Sequence, residues 1–318
     1  MGLLVDGEWK TDWYATDQDG RFRRPKTQFR EWIGDEKGAR FAPEAGRYHL
    51  YVSYACPWAH RTLVTRAVLG LGDAVSLSIV DPLMGDDGWA FSDAPGTIPD
   101  TVNGARYLRD IYLKADTAYT GRVSVPVLWD RKEGTIVNNE SREVMRMLDT
   151  AMAPFAKTDQ TLLPEGMEAH VDGLLDAIYE PINNGVYRAG FATSQDAYEA
   201  AVGELFDALH HFEVVLGEQR YLAGEVITEA DVAMYTTLVR FDLVYYSHFK
   251  CNVARIADLP NLRGYLRDLY QTPGIAEIVF PDLYKHGYFS ISELRNPLGI
   301  VPKGPLIDFT APHGRRPA

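Results

Sequence analysis

Residues 47–69 read RYHLYVSYACPWAHRTLVTRAVL, and the joint at Cys56-Pro57 decides the fold. Arg47 to Val52 alternates and is rich in aromatic and β-branched side chains, the pattern of a strand. Pro57 suits the first position of a helix, because its fixed φ fits and its missing N–H had no helical partner to lose. The spacing predicts a helix from Pro57 through Leu69. Cys56 then faces the unpaired N–H groups and the positive end of the helix dipole. That setting favours thiolate over thiol and lowers the pKa from its usual value of about 8.5. An inert core cysteine is the structural alternative.

Working outward, Ala74 to Val80 reads as a second strand, so residues 47–81 form a βαβ unit with a parallel pair. Residues 82–121 are a long connection rich in Gly, Pro and Asp, of a length that is functional or carries structure of its own. Val123 to Asp130 reads as a strand containing Pro126, which removes a ladder donor. A turn at 131–134 leads to a short strand Thr135 to Val137. Asn138-Asn139-Glu140-Ser141 then opens a helix running through Met147 and Leu148. Residues 47–150 therefore read β-α-β followed by β-β-α.

From about residue 160 the pattern is helical, with Leu174, Leu175, Ile178 and Ile182 at helical spacing, then Ala201, Leu205, Ala208, Leu209 and Phe212. Thr228 is placed to cap a helix with Asp231 at the capping-box position, and Ile227 with Val232 forms a staple. That helix is expected to continue through Met234, Leu238, Phe241 and Tyr245. Residues 1–46, with Trp9, Trp13, Tyr14, Phe22, Phe29 and Trp32, read as an extended arm over the body. Residues 286–318 hold five prolines, among them Pro297, Pro302, Pro305 and Pro312, and read as an irregular tail.

With 318 residues the chain is long enough for two domains and a large core. Its net charge of −12 argues against nucleic-acid and anionic-membrane partners. Two cysteines, Cys56 and Cys251, exclude a disulfide scaffold and fit a reducing cytoplasm. The N-terminus lacks a signal-peptide pattern, and no apolar stretch is long enough to cross a membrane.

The combination of a βαβ–ββα unit, Cys-Pro at its first helix, Val125-Pro126 before its third strand and a following helical region resembles the cytosolic glutathione transferases. Several runs are similar to the glutathionyl-hydroquinone reductases, or Xi class: Cys56 to Arg61, Gly88-Trp89, Arg122 to Val127, Ile136 to Ser141, Tyr179 to Phe191, Arg240 to Asp242 and His248 to Cys251. The tail from His286 to Pro297 departs from the His-Tyr-Tyr, Ser-His and Ile-Asn-Pro pattern of that family.

The resemblance implies an α/β thioredoxin-like N-terminal domain (47–150, with an inserted loop 82–121) and an all-α C-terminal domain (151–285). An N-terminal arm (1–46) and a C-terminal extension (286–318) flank them. It implies glutathione as co-substrate, an aromatic quinol substrate, no metal or flavin, and a cytoplasmic homodimer.

Cys56 would be the nucleophile. Because Ala59 stands where a dithiol enzyme has its second cysteine, the mixed disulfide needs an external thiol. Pro126 would be cis, with Val125 presenting its backbone to the glutathione cysteinyl unit. The helix start at Ser141 suits the γ-glutamyl carboxylate and Glu140 the α-ammonium. Arg122 and Trp89 would complete the glutathione site. Tyr187, Tyr245 and Tyr288 would serve the substrate side, with Tyr246 and Phe289 as rivals for the last two places. His49 and His60 read as structural rather than as general bases, and His248 with Cys251 as no metal site. An omega-like thiol transferase or dehydroascorbate reductase, and a non-catalytic thiol-binding protein, are the alternative functions.

Overall fold

The structure is a computed structural model that describes residues 2–12, 16–34, 38–290 and 296–315. The chain divides into two compact units. The first comprises Met1–Trp13, Pro25–Gln160 and Asp282–Glu293; the second comprises Tyr14–Arg24, Thr161–Pro281 and Leu294–Ala318.

The first unit opens with a hairpin of β1 (Gly2–Val5) and β2 (Glu8–Thr11). Val5 pairs with Glu8, leaving Asp6-Gly7 as a two-residue loop. Both have positive φ, 48° and 79°, the geometry for which Asp-Gly is suited. The segment read as an extended arm thus carries regular structure. The central strand β3 (Tyr48–Val52) is buried along its whole length and leads into α1 (Pro57–Val68). β4 (Val75–Ile79) follows and pairs with β3 in parallel.

The long connection is not all loop, since it holds α2 (Leu108–Ala115) and ends in β5 (Gly121–Arg122), which pairs with β1. Leu108, Ile111 and Tyr112 form the buried face of α2. β6 (Val127–Asp130) runs antiparallel to both β3 and β7 (Thr135–Asn138), giving the sheet order β4-β3-β6-β7. α3 (Ser141–Asp149) then packs on α1. The strand expected from Val123 begins four residues later, because Val125-Pro126 is a cis peptide at its entrance.

The second unit contains α4 (Glu168–Ile178), α5 (Gly185–Gly190), α6 (Gln195–Glu218), α7 (Glu229–Arg240), α8 (Tyr246–His248) and α9 (Pro260–Tyr270). α7 starts at the expected Thr228 cap. The Asp231 carboxylate accepts from the Thr228 N–H and hydroxyl, each at 2.8 Å, from the Leu222 N–H at 2.8 Å and from the Tyr265 hydroxyl at 2.8 Å.

The helix does not run unbroken through Tyr245. It passes into a π-helical turn at Phe241–Tyr245, and a second π turn, Tyr179–Asn183, joins α4 to α5. α10 (Pro281–Phe289) carries helix four residues into the region read as irregular tail. The departure of the tail from the family pattern falls partly on residues 291–295, which lie outside the described residues, as do Trp13 and Tyr14.

Candidate active site

The sheet brings three chain segments to one edge. β3 ends beside the start of β6, where Tyr51 pairs with Val127. β7 ends beside the same point, where Asn138 pairs with Leu128. The turn into α1, the Val125-Pro126 peptide and the turn into α3 therefore emerge together.

Cys56 is the N-cap of α1, with extended backbone (φ −82°, ψ 120°) and Pro57 next. Its N–H donates to the Ser53 carbonyl at 3.2 Å, and its carbonyl accepts from the His60 N–H at 3.0 Å. The half-buried thiol lies 3.7 Å from the Val125 carbonyl oxygen, to which it donates. The expected thiol and cis-proline are thus neighbours. The positive end of α1 is oriented to favour negative charge at that sulfur.

Glu140 is the N-cap of α3 and Ser141 its first residue. The Glu140 N–H is held by the Asn138 side chain at 2.7 Å, and its carboxylate accepts from the Thr27 hydroxyl at 3.1 Å. The buried Arg61 donates to the Ser141 hydroxyl at 3.4 Å, and its guanidinium lies 4.4 Å over the Trp58 ring. This guanidinium at a helix N-terminus adds to an anion-favouring corner. Sequence reasoning quoted Arg61 only as part of a motif, yet its i, i+3 spacing from Trp58 was a readable sign of that stack.

Arg122 sits in β5, and its guanidinium donates to the Asp12 carbonyl at 2.9 Å. Trp89 is largely buried, and its carbonyl accepts from the Leu108 N–H at 2.9 Å, which anchors it to the start of α2. The N-terminal hairpin supports both positions. β1 pairs with β5, and the Trp9 indole of β2 donates to the Asp86 carbonyl at 2.9 Å.

Tyr288 is half-buried on α10 and Phe289 is buried. A Cβ on the preceding Gly287 would come 2.6 Å from the Cβ of Ala55, beside Cys56, so glycine is required at this close approach.

Tyr187 and Tyr245 lie in the second unit, with ring centroids 6.0 Å apart. Phe249 stacks on Tyr245 at 5.4 Å and meets Tyr187 edge-on at 5.5 Å. Arg24, which sequence reasoning did not single out, lies 4.7 Å over the Tyr187 ring and donates to Asn184 at 2.9 Å. Tyr246 is half-exposed at the start of α8, whereas Tyr245 is fully buried.

His49 is buried between Ser76 and Ser78, and burial pushes its pKa down to about 4. His60 is buried with its ring 6.0 Å from that of Tyr284. Burial pushes the Cys251 thiol up, and neither cysteine is in a disulfide. Among the described residues, no group of three or more His, Cys, Asp or Glu side chains is placed to hold a metal ion. No described helix is long and apolar enough to cross a membrane.

A glutathione S-transferase N-terminal domain is recognised across residues 55–151, and a glutathione S-transferase C-terminal domain across residues 195–268. Glutathionyl-hydroquinone reductase YqjG of Escherichia coli (strain K12) is 48% identical over 323 residues, covering 99% of this chain and 98% of that protein. The solved Xi-class transferase of Natrialba magadii superposes with a TM-score of 0.93 at 57% identity, covering 99% of this chain and 96% of that one. The chain belongs to the Xi-class glutathione S-transferases. The glutathione-bound structure of YqjG from E. coli K-12 superposes on this Xi-class chain with a TM-score of 0.89 at 46% identity, covering 99% of each. The N-terminal α/β part of the Xi-class fold is thioredoxin-like and the C-terminal part is helical.

Proposed function

We propose that this enzyme reduces glutathionyl-hydroquinones to hydroquinones through a mixed disulfide on Cys56. The observation that carries the reading is the Cys56 thiol at the N-cap of α1, 3.7 Å from the Val125 carbonyl of the cis Val125-Pro126 peptide. Its near-full-length similarity to a glutathionyl-hydroquinone reductase supports the substrate class.

The Cys56 thiolate attacks the sulfur of the glutathionyl substituent, forming the S–S bond as the aromatic C–S bond breaks. The aromatic carbon keeps the bonding pair and takes a proton with help from a phenol, for which Tyr187, Tyr245 and Tyr288 are the proposed sources. A second glutathione thiolate then attacks the mixed disulfide, releases oxidised glutathione and restores the Cys56 thiolate. The substrate gains two electrons and two glutathione sulfurs lose them. Ala59 and the inaccessible Cys251 support an external resolving thiol.

For glutathione itself, the Val125 backbone pairs with the cysteinyl unit, the α3 N-terminus and Ser141 take the γ-glutamyl carboxylate, and Glu140 takes the α-ammonium. Arg122 holds the remaining carboxylate and Trp89 packs over the peptide. The enzyme works as a cytoplasmic homodimer, which sedimentation of the purified chain and fractionation of its source cells would test.

The deciding experiment is a steady-state assay with glutathione and glutathionyl-menadiol, run beside Cys56→Ser. The wild type is expected to release menadiol and oxidised glutathione one to one. Cys56→Ser is expected to bind glutathione yet turn over at background. Full activity in Cys56→Ser would refute the mechanism.

A further inference from the structure

We propose that Tyr112 is the positioning residue of the glutathione site, holding the Val125 and Glu140 segments at a fixed separation; this rests on the glutathione-site reading above. Tyr112 belongs to the buried face of α2, within the segment that joins β4 to β5, and is fully buried. Its hydroxyl donates to the Ser124 carbonyl at 2.7 Å and accepts from the Ser124 N–H at 3.2 Å. The same oxygen accepts from the Asn139 side-chain amide at 3.0 Å. A phenol offers one donor and two acceptors, so these three bonds saturate it.

Ser124 directly precedes Val125, and Asn139 directly precedes Glu140. One oxygen thus ties the strand entrance to the helix entrance. Asn139 is fixed in turn by Phe29, whose carbonyl accepts from the Asn139 N–H at 3.1 Å and whose N–H donates to the Asn139 side-chain oxygen at 3.2 Å. The Phe29 ring meets Tyr112 edge-on at 5.9 Å. Glutathione would contact both segments through different parts of one peptide. Their separation therefore sets its affinity; the Cys56 sulfur, which also meets the Val125 carbonyl, keeps its place at the start of α1, whose own bonds do not involve Tyr112.

The test compares Tyr112→Phe with Tyr51→Phe. Tyr51 is an equally buried control whose hydroxyl donates to Asp100 at 3.0 Å and accepts from Asn103 at 2.8 Å. Both variants are expected to lose similar thermal stability. Only Tyr112→Phe is expected to weaken glutathione binding, measured by calorimetry, by about tenfold, since two segments lose a shared buried partner. Its KM for glutathione rises in parallel, while kcat and the rate of Cys56 alkylation by iodoacetamide stay within about twofold. Asn139→Ala, which removes one of the three bonds, is expected to shift binding in the same direction and serves if Tyr112→Phe does not fold.

Unchanged glutathione affinity in Tyr112→Phe, or in Asn139→Ala where that serves, overturns the proposal. Equal weakening in Tyr51→Phe does so too. Wild-type protein that binds glutathione but leaves glutathionyl-menadiol unchanged would overturn the reaction reading alone, and the affinity comparison would still decide the role of Tyr112. Wild-type protein that binds no glutathione would overturn both.

Discussion

Lowering the pH from 7.5 to 5 should cost this protein about 2 kcal/mol of stability through His49 alone. The ring is fully buried on β3. Its Nε2 lies 3.0 Å from the Ser78 hydroxyl, which itself donates to the Pro99 carbonyl at 2.9 Å. The only hydroxyl hydrogen of Ser78 is therefore used, and His49 Nε2 must be the donor to it. Nδ1, 2.8 Å from the Ser76 hydroxyl, is left as the acceptor. A second ring proton would face the Ser76 hydrogen and bring a charge into the sheet.

Burial is the main force holding the His49 pKa near 4 rather than 6.5. Arg131 and Arg66 push the same way and Asp100 opposes them. Because the folded state resists the proton, the stabilisation is complete above the unfolded pKa of about 6.5 and declines as pH falls toward 4. The difference between the two pKa values corresponds to about 3 kcal/mol, of which about 2 is lost by pH 5. Urea unfolding of the wild type and His49→Gln at several pH values measures it. The variant is expected to be less stable at pH 7.5 and to show a shallower slope down to pH 5. Equal slopes, or an imidazole that titrates near 6.5 in the folded protein, would refute the reasoning and reopen His49 as a base.

Two further outcomes follow from the helical unit. Asp231→Ala should destabilise it by about 3–5 kcal/mol, because it strands two buried N–H groups and removes the Asp231 half of the α7 capping box; a loss below about 1 kcal/mol in urea unfolding would contradict this. Burial pushes the Cys251 thiol up, so iodoacetamide at neutral pH should label one thiol per native chain, at Cys56, and two in denaturant. Mass spectrometry counts them, and native labelling of Cys251 would contradict its burial.

The strand and helix around Cys56 were legible because each depends on neighbours in sequence. Alternation marks β3, and Pro57 marks the first turn of α1. The Thr228 cap was legible for the same reason. The Asp6-Gly7 turn was equally local, but strands of four residues each side carried too little alternation to be read as a hairpin. α2 showed Leu108, Ile111 and Tyr112 at helical spacing, yet eight residues inside a Gly- and Pro-rich stretch did not stand out. The π turns before Tyr187 and ending at Tyr245 had no readable signal, since a 3.6-residue period passes straight across a five-residue offset.

The candidate site divides along the same line. Cys56 and Glu140-Ser141 could be named because each sits at a helix start with a chemical signature, whereas Val125-Pro126 could be named only through the resemblance to the glutathione transferases. Arg61 and Tyr112 could not be assigned roles, because each acts on a segment far along the chain. Arg61 reaches Ser141 across 80 residues. Tyr112 reaches Asn139 across 27. The spacing of Arg61 from Trp58 signals their stack but not the reach to Ser141, and no local pattern distinguishes Tyr112 from the other core tyrosines. What distinguishes them is burial with polar atoms satisfied by the two turns that would receive glutathione. A buried guanidinium is costly unless paired, and Arg61, stacked on Trp58, donates to Ser141 at the α3 N-terminus.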